Sequence, residues 1–378
     1  MLLLRLNILV FYLFNMKKTF NINLVIYFFF CALFIGFTTN YVSEYDLINT
    51  YGQKDIEHYY LIAKESPLLP QNQKNIMAHV SSRFAIPYIA GTISNISGLD
   101  LFNTYKIINF IFFLIFFYFF YKFLESSNFS FREKILFFSL IFLNPYIIRY
   151  HVFNPIQAHD LLFFSLSLIF ARGLIENKFM PILLSSLLMI FIRQSSVAFL
   201  FGGLTYLIFD KNKNYKNMII FVLLFITTFK LVSIIGNGIS TEKFDLRYAY
   251  GILNYDFSRT KELIKFLFLP LISFFPLIIL MFSKTKKKIN IQIALTCFVI
   301  AILMIGQPIL AGPDWTQRNV MRITSLSFVI AVFFVLLTFN TEKLFRSKYY
   351  FYIFLLGLFA WSLHPLYSIS NIFGFLRF

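Results

Sequence analysis

The feature that most constrains this chain is a recurrence of apolar runs, each about 15–20 residues long, separated by short polar connectors. A helix rises about 1.5 Å per residue, so runs of this length suit a hydrocarbon core about 30 Å thick. They fall at 22–39, 84–98, 104–121, 135–149, 157–172, 179–192, 195–209, 218–236, 264–283, 291–310, 323–339 and 350–366. Composition agrees: 58% of residues are hydrophobic, 21% are aromatic and only 13% are charged, too few charges to coat a soluble domain of 378 residues. The expected fold is all-α, a polytopic membrane bundle of about 11–12 transmembrane helices forming one integral membrane domain over 1–378. A soluble enzyme, a secreted disulfide scaffold and a disordered tail are excluded.

The net charge of +17 is distributed as membrane connectors are, not as a nucleic-acid face. Lysine and arginine gather between apolar runs, at Arg132–Lys134, Arg172–Lys178, Lys211–Lys216, Lys284–Lys288 and Lys343–Lys348. The positive-inside rule puts these connectors in the cytoplasm, and connectors 144–158, 193–196, 237–263 and 310–322 outside. Translation starts at Met1 or Met16; Lys17 and Lys18 place the start of run 22–39 in the cytoplasm. No A-x-A-like cleavage site follows, so that run reads as an anchor. Parity then requires that 84–98 not cross, consistent with its Pro87 and Gly91, or else that 179–209 cross once as one long helix. Cys31 and Cys297 sit inside apolar runs, so neither a disulfide framework nor a thiolate metal site is expected.

Most of the 17 carboxylates and all five histidines fall on the outer side by this reading. The densest cluster is Asp55-Ile-Glu57-His58-Tyr59 in the first outer loop, 40–83. On a helix Asp55 and Tyr59 share a face while Glu57 points away. A carboxylate there can act as general base toward a hydroxyl; the bland reading is a solvated helix with aromatic anchors. His159-Asp160 lies at the outer end of an apolar run, where a titratable pair implies a polar cavity, with a helix N-cap as the alternative. Arg83, Arg193, Arg318 and Arg322 are outer-side guanidinium groups suited to bidentate phosphate binding, the alternative for each being contact with lipid headgroups. Asp55, Glu57, His58 or Asp160 could take a divalent metal, although no spacing matches a known ligand motif. The chain contains no P-loop, dinucleotide fingerprint or nucleophile elbow.

One arrangement resembles a family. A cytoplasmic start and one helix lead to an outer loop with Asp55-x-x-x-Tyr59, and Arg83-Phe-Ala-Ile-Pro87 then opens a Gly-bounded segment. Asn144-Pro145, Asp160 and Arg193 extend the pattern, which over residues 16–210 resembles the multispanning GT-C glycosyltransferases; residues 211–378 carry no motif that aligns. The resemblance implies sugar transfer from a polyprenyl-phosphate donor to a glycan, lipid or protein acceptor. The setting it implies is the bacterial inner membrane, with the site facing the periplasm or exterior. Asp55 would be the base, Asp160 a second acidic site residue, and Arg83, Arg193, Arg318 and Arg322 a phosphate clamp near His58, Tyr59 and His159. The loop pair here is Asp55-x-Glu57, so which carboxylate acts stays open, as does a requirement for Mg or Mn. Rival readings are an O-antigen or exopolysaccharide polymerase and a lipid-linked-sugar flippase. Polar groups gathered at one face, without paired halves, weigh against a transporter.

Overall fold

The computed structural model describes residues 22–39, 42–49, 55–210, 214–242, 251–256, 260–283, 290–313 and 320–363. The chain divides into two compact units, Met1–Asn40 and Tyr41–Phe378. In the first, the described element is helix α1 (Ile22–Thr38), apolar along its length. The second unit is also built from helices, and no strand is found among the described residues, as the apolar periodicity requires.

The larger unit opens with four short helices, α2 (Glu44–Asn49), α3 (Asp55–Lys64), α4 (Ala78–Ser81) and α5 (Ala85–Ser97). The bundle follows: α6 (Leu101–Ser126), α7 (Phe131–Phe142), α8 (Tyr150–Phe153), α9 (Ala158–Glu176), α10 (Phe179–Ile190), α11 (Val197–Ile208) and α12 (Tyr215–Ile239). Next come α13 (Thr260–Met281), α14 (Ile291–Ala311), α15 (Val320–Ser325), α16 (Phe328–Thr338), α17 (Thr341–Leu344) and α18 (Lys348–Ser362). Among the described residues, α6, Pro155–Glu176, α12, α13 and α14 are long and apolar enough to cross a membrane singly. A sixth crossing results if Phe131–Phe142 and Pro145–Phe153, bent by 41°, are joined. That is fewer than the 11–12 expected from run lengths. The runs at 179–192 and 195–209, on either side of Arg193, and the run at 323–339, interrupted by the turn at Leu326–Ser327, form apolar helices of only 11–15 residues.

Hydrogen bonds gather the chain reversals at two ends of the unit. At one end Tyr206 Oη donates to Asn177 Oδ1 at 2.5 Å, and Gln292 Nε2 to the Tyr206 carbonyl at 2.7 Å. There too Ser283 Oγ bonds the Asn340 carbonyl at 3.0 Å, and Arg132 Nη1 the Phe345 carbonyl at 3.1 Å. These residues flank the basic connectors. At the opposite end Gln73 pairs with Ser240, Asn109 Nδ2 donates to the His151 carbonyl at 2.9 Å, and Gln194 Nε2 to the His79 carbonyl at 3.1 Å. Helices α10 and α11 therefore form a hairpin turning at Arg193–Ser196, and 179–209 is not one long crossing.

Helix α5 stays at the Gln194 end and packs along α3. A Cβ on Gly91 would lie 1.9 Å from the Ala63 carbonyl oxygen, so only glycine permits this approach. Deeper in the bundle phenylalanines interlock, for example Phe123 against Phe137 and Phe333 with ring centroids 4.8 and 5.2 Å apart.

Candidate functional site

The polar site forms where the short loop helices meet the bundle. Helix α3 buries Ile56, Tyr59, Ile62 and Ala63, one apolar face, against α5. That seats Asp55 and Tyr59 together at the inner side, as their spacing requires. Glu57 is exposed on the other face, and His58 turns its Nδ1 to the Asn75 carbonyl at 2.6 Å. Helix α4 brings His79 Nε2 to 4.0 Å from Asp55 Oδ1, and Arg83 Nη1 donates to Tyr59 Oη at 3.4 Å.

The bundle supplies the second half. Asn144 accepts from the Tyr146 amide at 2.9 Å and, with Pro145, stops α7; the chain then winds through α8 into the first turn of α9. There Asp160 is fully buried, and Arg193 grips it with Nε on Oδ1 and with Nη2 on Oδ2 at 2.8 Å. The alternative that Asp160 caps its own helix fails: the cap residue is Gln157, and the carboxylate goes to Arg193. His159 Nε2 lies 3.3 Å and His151 Nε2 4.0 Å from the same carboxylate. The Tyr59 ring meets His159 edge-on with centroids 5.4 Å apart, joining the halves. From α15, buried Arg322 donates Nη1 to Tyr150 Oη at 2.9 Å.

Of the sequence candidates, Asp55, Tyr59, Arg83, His159, Asp160, Arg193 and Arg322 are thus gathered into one region. Glu57 is turned away from it, because a helix face admits residues i and i+4 but not i+2, whereas His58, at i+3, lies near His79 and is engaged by the Asn75 carbonyl. Arg318 lies outside the described residues. Burial alone would raise the Asp55 pKa, but His79 and then the guanidinium groups of Arg322, Arg83 and Arg193 outweigh it and hold the carboxyl below its usual range. Burial, and next Arg83, pushes His79 down to about 4 against the pull of Asp55.

Three guanidinium groups face two carboxylates here, a surplus of one positive charge while the imidazoles are neutral. Hydrogen-bonding capacity remains: Arg83 Nε, Arg322 Nε, both polar atoms of the Gln157 amide and the Ser195 and Ser196 hydroxyls are buried without a partner among the described residues. Such a region suits an anionic, polyhydroxylated ligand.

The four candidate metal ligands do not converge: Arg193 occupies both Asp160 oxygens, Glu57 points outward and His58 binds a carbonyl. Among the described residues no group of three or more His, Cys, Asp or Glu side chains could hold a metal ion.

Sequence reasoning passed over His79, Tyr150 and Gln194 as site members. His79 had a signal, its i,i+4 spacing to Arg83. Gln194, which bonds Ser82 Oγ and so ties the α10–α11 turn to α4, sat beside Arg193 without one. Compared with known proteins, the chain matches no family model, and no curated protein or solved structure is similar to it.

Proposed function

We propose that this protein is a membrane glycosyltransferase of the GT-C type, moving a sugar from a polyprenyl-phosphate donor to an acceptor hydroxyl at the outer face of a bacterial inner membrane. The observation that carries the reading is the convergence of Arg83, Arg193 and Arg322 on Asp55 at the end of the bundle away from the basic connectors.

In this mechanism the bond between the sugar's anomeric carbon and the donor phosphate breaks as the acceptor oxygen bonds to that carbon. Asp55, held ionised by its cationic neighbours, takes the acceptor proton. Arg83 and Arg322, each with an unused Nε, stabilise the charge that returns to the leaving polyprenyl phosphate. Asp160 is not a second base. Its oxygens are committed to Arg193, so it fixes that guanidinium and offsets its burial.

The test is transfer by full-length protein in proteoliposomes supplied with polyprenyl-phosphate sugars and a mixed acceptor extract. Wild-type protein should release polyprenyl phosphate with glycosylated product, and Asp55→Asn should lower the rate by about 10²–10⁴. Direct use of a nucleotide sugar, or near wild-type turnover by Asp55→Asn, would overturn the proposal.

A further inference from the structure

Helix α12 carries a charge where none is expected. Its best 18-residue window has a mean hydropathy of 2.6, the highest among the five long spans, and only 17% of that window is buried. Lys230 is the one charged residue between Lys216 and Glu242, and its side chain is exposed on the helix surface. With α12 centred in the bilayer, Lys230 lies three residues past the middle, about 10 Å below the nearer interface. The long lysine stem runs along apolar surface and carries the ammonium toward that interface, where lipid phosphates lie. Among the described residues no carboxylate forms an ion pair with it. A lone ammonium in hydrocarbon costs a few kcal/mol, so it marks a place where an anion is brought to it.

Beside Lys230 runs a groove of about 310 Å³ between α11 and α12, walled by Val197, Leu200, Phe225 and Phe229 with Ser233 on its rim. Its walls suit a hydrocarbon chain, and Lys230 and Ser233 suit a phosphate. The groove begins at Val197, directly after the Arg193–Ser196 turn. Farther along α12, Gly236 packs against the Ser82 backbone, where a Cβ would lie 3.2 Å from Ser82 Cα. Lys230 therefore sits six residues, or about 9 Å along the helix, from the level of Arg83.

We infer that the α11–α12 groove is a second lipid site, separate from the donor site, which binds an anionic phospholipid with one chain in the groove and its phosphate on Lys230 and Ser233. The site does not depend on the glycosyl-transfer reading. Its occupant lies against Val197, the residue that directly follows the Arg193–Ser196 turn.

The test is native mass spectrometry of the full-length protein in detergent, titrated with palmitoyl-oleoyl phosphatidylglycerol or with the phosphatidylcholine of the same chains. Wild-type protein should retain the anionic lipid about fivefold better than the zwitterionic one. Lys230→Leu should abolish that preference without lowering the melting temperature, because leucine is favoured at a lipid-facing position. Lys230→Arg should keep the preference, and Leu200→Trp, which fills the groove, should weaken retention of both lipids. Equal retention of the two lipids by wild type, or an undiminished preference in Lys230→Leu, would overturn the inference. So would displacement of phosphatidylglycerol by an equimolar polyprenyl monophosphate, which would make the groove part of the donor site.

Discussion

Asp55 and Asp160 are both carboxylates beside cations in one polar region, yet their surroundings differ. Asp160 is fully buried, gripped by Arg193 through two hydrogen bonds and flanked by two histidines. The Asp55 side chain keeps 26% of its surface exposed, and its nearest titratable neighbour, His79, stands off at 4.0 Å. A saturated pair fixes geometry, because neither partner can leave without stranding a buried charge. A loosely held carboxylate that keeps part of its surface exposed is free to exchange a proton with a ligand. The lesson is that residue type and location do not assign a role; the state of a group's hydrogen bonds does.

The contrast breaks most sharply under paired substitutions. Asp160→Asn should destabilise the protein by about 3–5 kcal/mol, read as a lower melting temperature in detergent, since it leaves Arg193 buried without its counter-charge. Asp55→Asn should remove transfer while lowering the melt by much less than Asp160→Asn, since the Asp55 charge is stabilised by its neighbours but is not gripped by a buried partner. Equal melts for the two variants would erase the distinction.

A smaller effect tests how the Asp55 half is assembled. Gly91→Ala places a methyl against the Ala63 carbonyl and should cost about 1–3 kcal/mol as α3 and α5 are forced apart. Because that shift moves Asp55, activity should fall by more than the loss of folded protein explains.

Acidification sharpens the comparison through His79. Its folded pKa, about 4, lies below the ordinary 6.5, so in that window the unfolded chain binds the extra proton. His79 therefore contributes a loss of stability as pH falls from about 6.5 toward 4, and His79→Gln should flatten that part of a melt-versus-pH curve. The Asp55 pKa is lowered, so its own contribution is lost only below the usual carboxylate range. The smallest expected change is Glu57→Gln, an exposed position, within about 0.5 kcal/mol of wild type in stability and without effect on transfer.

What the sequence determined by itself was local. Apolar run length specified helices and a membrane setting, and helical spacing put Asp55 with Tyr59 and turned Glu57 away. The basic connectors marked chain reversals that do cluster at one end of the larger unit, as the hydrogen bonds of Tyr206, Gln292 and Arg132 attest. What only the tertiary structure decided was pairing. Asp160 finds Arg193 across 33 residues, and Arg322 finds Tyr150 across 172. Helix periodicity extends over a few turns and says nothing about which distant helix will face a given side chain; that follows from packing, down to the single missing Cβ at Gly91 that lets α5 lie on α3. The same limit explains the turn at Arg193. Run length sets how far a helix can extend, but burying Arg193 against Asp160 is a tertiary event, and it is there that a long apolar stretch becomes a hairpin.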